Sequence, residues 1–174
     1  MKPERSANQY TIEKVAEIAK QAALEHDGHI PTLIVEGNEG STIGHLPDLP
    51  GTHEARCQMM YAAGSFLAVD GRIGLLNQVF FICEGWMSVR KEGEELKTLP
   101  SKDPDRIEVL IVDGYDAQKL HNQAIFLEIK RDSQKRVCEL TDLDQDFDRK
   151  DITTDSPLLK AFVAGFRKGK SKLH

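Results

Sequence analysis

Three acid-glycine pairs follow apolar segments of this chain, and their carboxylates are the first candidates for chemistry. They are Glu36-Gly37, Glu84-Gly85 and Asp113-Gly114. Carboxylate oxygens are the ligands that hard divalent cations prefer, and a cation with open positions can activate water or bind phosphate. Convergence of the three side chains would therefore indicate a metal-dependent hydrolase.

A second set of candidate metal ligands comprises His45, His53 and Cys57. His53 and Cys57 are four residues apart, so they can share one face of a helix, and zinc accepts mixed nitrogen and thiolate ligands. Their spacing matches no standard zinc motif, and the chain contains no HExxH or CxxC. A histidine near a helix start and a buried thiol need no metal, so we predict no metal and no cofactor.

No other motif identifies a reaction. Cys83 lies inside an apolar segment, where burial raises a thiol pKa and core packing is the expected role. The acidic stretch 142–148 resembles a calcium loop, but Phe147 stands where such a loop needs glycine. GxSxG, phosphate-loop and dinucleotide-binding patterns are absent. The sequence therefore leaves enzymatic activity uncertain and favours a non-catalytic role.

The elements that must position these residues begin with three helices. Apolar periodicity predicts them over 11–25, from 52 to about 70, and from 157 onward, with N-caps at Thr11, Thr52 and Ser156. Gly28 and Gly71 lie where left-handed residues should end the first two. We expect the second helix to bury one apolar face, consisting of Ala55, Met59, Ala62, Ala63 and Phe66.

Six strands are predicted between and after these helices. Apolar or alternating segments place them at 31–36, 42–46, 78–89, 107–112, 123–130 and 136–140. The order α-β-β-α-β-β-β-β-α predicts an α+β fold in which three helices pack on a mostly antiparallel sheet of about six strands. This order is similar to that of roadblock-type and profilin-like domains; the resemblance is one of topology and implies no active site.

This arrangement bears on whether the three acids meet. If the third and fourth strands are antiparallel, Glu84 and Asp113 should lie near opposite ends of the pair. We therefore expect Glu36, Glu84 and Asp113 to leave the core separately and point to water, with each glycine permitting a turn.

Composition limits the class of protein. The chain has 174 residues, of which 40% are hydrophobic, and it carries a net charge of −5. We predict a single domain over 1–174 with an exposed loop at 88–105 and a flexible basic tail at 167–174. The net charge argues against nucleic-acid binding. An odd number of cysteines, three, and the absence of a membrane-length apolar run favour a cytoplasmic protein that does not insert into membranes.

The function best supported by these observations is a self-associating binding or regulatory module. Sheet edges need protection, and self-pairing to form a homodimer is one way to provide it. A metal-dependent hydrolase that uses the acids and histidines is the alternative. A second alternative is a small-ligand sensor, with a pocket or interface formed by Met59, Phe66, Phe81 and Trp86.

Overall fold

A computed structural model describes residues 10–88, 93, 95, 98–143 and 156–172 of the chain. The three helices are α1 (Ile12–His26), α2 (His53–Asp70) and α3 (Pro157–Ser171). The six strands are β1 (Thr32–Gly37), β2 (Ser41–His45), β3 (Leu76–Met87), β4 (Ile107–Asp116), β5 (His121–Arg131) and β6 (Val137–Asp142). A short 3-10 helix covers Pro100–Lys102.

All six strands form one antiparallel sheet in the order β2-β1-β3-β4-β5-β6. The β1–β2 hairpin therefore adds outside β3, while β3 to β6 form a meander. Among the residues that the structure describes, strands β2 and β6 each pair on one side only, so they are the edges of this sheet. The predicted fold class, element order and strand number are confirmed.

One face of the sheet is covered by α1. Val15 and Ala19 of the helix are buried against strand residues such as Ile82 and Leu110. The Thr11 side chain caps the helix by accepting from Lys14 N at 3.2 Å, as predicted. The C-cap residue at the other end is Asp27, with φ 60°, and the predicted Gly28 follows it, also with a positive φ, of 146°. The carboxylate of Asp27 also accepts from Val137 N at 2.6 Å, which ties the end of α1 to β6.

The other face of the sheet is covered by α2 and α3, which pack closely against each other. Gly64 of α2 and Gly165 and Gly169 of α3 line their contact. A Cβ at Gly64 would meet Phe162 O, one at Gly165 would meet Tyr61 O, and both would lie far inside van der Waals distance. The two backbones can approach this closely only because these positions lack side chains.

The contact between α2 and α3 determines which face of α2 is buried. Met60, Gly64 and Ala68 are buried, whereas Ala62 is exposed and 68% of Phe66 is exposed. The predicted buried face of α2 is therefore wrong for Ala62 and Phe66, whereas Met59 and Ala63 do pack beside the core. The helix carries apolar residues around most of its circumference, and the glycine-lined side turns toward α3.

Two of the three acid-glycine pairs do not end a strand. β3 continues through Glu84-Gly85 and β4 through Asp113-Gly114, without a register shift between them. The register shifts at Glu36-Gly37, where β1 ends, and again between Lys130 and Arg131 of β5. A fourth pair, Asp70-Gly71, closes α2 as predicted, with Gly71 in a left-handed conformation.

The predicted tail and loop are only partly described by the structure. Residues 167–171 belong to α3 and are helical rather than part of a tail, while 173–174 lie outside the described residues. Residues 89–92, 94, 96 and 97 of the predicted loop 88–105 also lie outside the described residues. No helix in the described part of the chain is long and apolar enough to span a bilayer.

Candidate functional site

The three predicted acids lie apart. Glu36 is buried and accepts a hydrogen bond from Gln78 Nε2 at 2.5 Å. Asp113 lies opposite Phe81 in β3, on the face covered by α2 and α3. Glu84 lies three positions farther along β3 and points to the α1 face. The acids are separate, as expected, but Glu36 is buried rather than directed to water.

Asp113 is held by the start of α3. Burial raises the pKa of its carboxyl group, and the hydrogen bond from Ser156 Oγ, 3.1 Å away, opposes that rise. Ser156 is the N-cap residue of α3, as predicted, but its side chain makes no capping hydrogen bond to the helix. Its hydroxyl joins α3 to β4 instead. The role of this pair is therefore to position the helix on the sheet.

Glu84 belongs to an ionic cluster around Arg131. The guanidinium group donates to both carboxylate oxygens of Glu108, at 2.8 and 2.7 Å. It also lies 3.7 Å from Glu84 and 3.6 Å from Asp27. Glu84 in turn accepts from His29 N at 2.6 Å. The hydrogen bonds to Glu108 raise the pKa of Arg131, so this cation stays charged and links β3, β4, β5 and the end of α1.

The three histidine and cysteine candidates lie in two separate places. His53 Nε2 lies 3.5 Å from Cys57 Sγ, so these residues share a face of α2 as predicted. His45 Nδ1 lies 3.1 Å from Thr32 Oγ1. Within the described ranges, no three histidine, cysteine or acidic side chains are grouped closely enough to hold a metal ion. The calcium-like stretch 142–148 lies almost entirely outside those ranges.

Cys83 packs against the core between the sheet and α2–α3. Burial, reinforced by the negative charges of Asp113 and Glu84, raises the pKa of its thiol to about 12. Thiolate is the reactive form of cysteine. We therefore expect iodoacetamide at pH 8 to label Cys83 at least about 100-fold more slowly than the exposed Cys138, measured by peptide mass spectrometry.

Labelling in denaturant is the control for that experiment, because all three cysteines should then react at similar rates. Equal labelling of Cys83 and Cys138 in the folded protein would contradict the burial of Cys83.

The four residues predicted to form a pocket or interface do not come together as one cavity lining. Phe81 is 2% exposed and lies in the core, whereas Phe66 projects from α2 into solvent. Met59 is half-buried beside the core. Trp86 is half-exposed, with the Arg106 guanidinium 4.5 Å from its ring centroid, and it borders a separate cavity that also contains Glu84 and Glu108.

An apolar stripe on α2 is the feature that most needs a functional explanation. Ala62, Phe66 and Val69 recur at helical spacing on the side opposite the buried Met60 and Gly64. Phe66 is 68% exposed and Val69 52% exposed. Helices with apolar residues all round are normally buried all round, whereas this one is covered on one side only.

The stripe faces away from α3, whose close contact with α2 lies on the Gly64 side. α3 contacts β3 and β4, and Leu33 and Val35 of β1 belong to the same buried cluster as Met60 and Ala68 of α2. The β1–β2 hairpin lies at one edge of the described sheet. Hydrogen bonds from Leu46 N to Pro31 O and from Gly37 N to Gly40 O fix the pairing of this hairpin. By alternation, the N–H and C=O groups of Ile43 point away from β1.

Sequence reasoning missed the main parts of this surface. It predicted Phe66 both on the buried face of α2 and in a pocket or interface with Met59, Phe81 and Trp86, and it did not single out Val69 or Ile43. A signal was present in α3, where Gly165 and Gly169 are four residues apart, a spacing typical of close helix contacts. That spacing predicts which side of a helix is contacted, but not which other helix contacts it.

The fold and this surface define the chain as an α+β protein with helices on both faces of a single antiparallel sheet and an exposed apolar stripe on one helix. Comparison with protein-family models, with curated proteins and with solved structures found no match.

Proposed function

We propose that this protein is a non-catalytic binding or regulatory module that works as a homodimer, assembled through the stripe of α2 and the edge strand β2. The observations that support the proposal are the exposure of Phe66 and Val69 on α2 and the position of β2 at an edge of the described sheet. An open edge invites pairing with another strand, and an exposed apolar patch marks an interaction site.

A second copy of the chain fits this surface by symmetry. A two-fold axis near Ala62 would run α2 antiparallel to its copy, placing Val69 of one chain near Ala55 of the other. The small side chain of Ala62 allows the helices to approach, while the larger side chains lie on either side. The same axis would pair β2 with its copy and continue the antiparallel sheet across the dimer.

The size of the surface indicates how stable the dimer should be. An 18-residue helix is about 27 Å long, which gives the length of the face. The height of the face, one helix layer stacked on one sheet layer, is about 20 Å. The resulting face is at the lower end of specific interfaces, which bury about 800 Å² per partner. We therefore expect a dissociation constant on the order of micromolar, so that the dimer separates on dilution.

Phe66→Glu should convert the dimer to a monomer. The substitution places a charge in the centre of an interface that excludes water, which costs far more than the same charge on an open surface. At a protein concentration of about 100 μM, we expect light scattering to give a dimer mass for the unsubstituted protein and a monomer mass for the variant. Circular dichroism should remain unchanged, because Phe66 makes little contact with its own chain.

Ile18→Glu is the matched control. Ile18 is a 50% exposed apolar residue on α1, on the opposite face of the sheet, so this variant should remain dimeric. Ile43→Pro tests the strand edge separately, since it removes an outward-pointing N–H from β2 and should weaken the dimer at least tenfold. A monomer mass for the original protein at 100 μM, or equal weakening in Ile18→Glu, would refute the proposal.

A further inference from the structure

A cavity of about 610 Å³ opens at the end of the sheet opposite the Arg131 cluster. It is bounded by the start of β3, the chain after β4 and the last turns of α3. Val163 and Phe166, both buried, form its apolar wall together with Leu76. The volume lies within the range of natural small-molecule sites, and no residue of α2 lines it. It is therefore separate from the proposed dimer surface.

The charge of the cavity is positive although the chain is acidic overall. Arg167 and Lys170 line it, and none of its ten lining residues is acidic. Lys170 Nζ lies 6.0 Å from the ring centroid of Phe166, which keeps the ammonium group beside the apolar wall. Neither cation forms an ion pair with any of the described residues.

The amide side chains at the rim add hydrogen-bond donors. Asn38 Oδ1 accepts from Leu75 N at 2.5 Å, and Asn77 Oδ1 accepts from Gln118 Nε2 at 2.9 Å. Each amide oxygen already accepts one hydrogen bond from the chain, and the NH₂ group of each asparagine supplies two donors. Donors and cations beside an apolar wall suit a molecule with an anionic head and an apolar body.

We propose that this cavity binds a small organic carboxylate whose head contacts Arg167 and Lys170 and whose hydrocarbon body packs on Leu75 and Leu76. Arginine presents a planar fork of donors that matches a carboxylate, and the neighbouring ammonium adds a second positive charge. Leu75 lines the cavity and is 67% exposed, so it supplies area that a hydrocarbon chain removes from water. The proposal stands independently of dimerisation.

Octanoate is a suitable probe. Octan-1-ol, which lacks the charge, and acetate, which lacks the hydrocarbon chain, serve as partial ligands. We expect octanoate to bind with a dissociation constant below about 1 mM, and both partial ligands to bind at least tenfold more weakly. Titration followed by ¹⁵N–¹H correlation spectra should shift the backbone signals of Asn77 and Phe166. Absence of octanoate binding at 5 mM (~5 times the expected upper limit) would overturn the proposal.

Two sets of variants distinguish binding of octanoate in this cavity from non-specific attraction of the anion to the basic end of α3. Arg167→Gln with Lys170→Gln should weaken octanoate binding at least tenfold, whereas Lys168→Gln with Lys172→Gln removes the same charge from the same region and should leave binding within twofold. Ala117→Phe keeps both cations but fills the cavity, and it should also weaken binding at least tenfold. Equal losses in the two double variants, or full binding by Ala117→Phe, would refute the site.

Discussion

Gly165→Ala should lower the free energy of unfolding by about 2 kcal/mol, although alanine is the better helix former. The higher helix propensity of alanine contributes about 1 kcal/mol in the opposite direction. The added Cβ would lie far inside contact distance of Tyr61 O, a backbone atom that cannot rotate away. The helices must then separate, and overpacking of this kind costs up to about 3 kcal/mol or more. Urea denaturation measures the loss.

Gly51→Ala is the control for this substitution. A Cβ at Gly51 would meet no atom within 4 Å, so its effect should stay within about 0.5 kcal/mol. Gly64→Ala, on the α2 side of the contact, should resemble Gly165→Ala because its Cβ would meet Phe162 O. A neutral or stabilising effect at both positions would show that α2 and α3 do not approach as closely as described.

Arg131→Gln should lower the free energy of unfolding by about 2 kcal/mol at neutral pH. Hydrogen bonds between charged groups contribute about 1.5–3 kcal/mol, and Arg131 makes two to Glu108. Its removal also leaves the carboxylates of Asp27, Glu84 and Glu108 near one another without the cation between them. The partial exposure of these groups keeps the expected loss below that of a fully buried ion pair.

Lys130→Gln provides the neighbouring comparison. Lys130 pairs with Glu139 at 3.6 Å, but the two side chains are 47% and 61% exposed. Exposed pairs contribute little, so this variant should lose less than about 0.5 kcal/mol. A double-mutant cycle of Arg131→Gln and Glu108→Gln should give a coupling energy above about 1 kcal/mol. Equal effects of Arg131→Gln and Lys130→Gln would contradict a structural role for the Arg131 cluster.

The Arg131 cluster also explains why candidate acids could be recognised in the sequence but not interpreted. An acid-glycine pair after an apolar segment identified Glu84, Asp113 and Glu36, and the structure gives each a different partner. Arg131 is far from Glu84 in the chain, and only pairing of β3 with β4 and of β4 with β5 brings them together. Residue type indicated charge, but the partner of each charge depends on strand register.

Local signals in the sequence determined the elements and therefore the fold class. The caps at Thr11 and Thr52, the glycine after α2 and the apolar strand segments depend on contacts within a few residues, so their pattern can be read along the chain. These signals were sufficient to predict three helices, six strands and an antiparallel sheet.

Only the tertiary structure decided which surfaces those elements bury and which they expose. α2 is apolar on several sides, and the side that enters the core was selected by the approach of α3 at Gly64 and Gly165, more than 90 residues apart in the chain. That choice places Phe66 in solvent and leaves the stripe exposed. The cavity beside Arg167 likewise joins residues from distant segments. Burial is a property of the assembled layers, so a single segment of sequence cannot specify it.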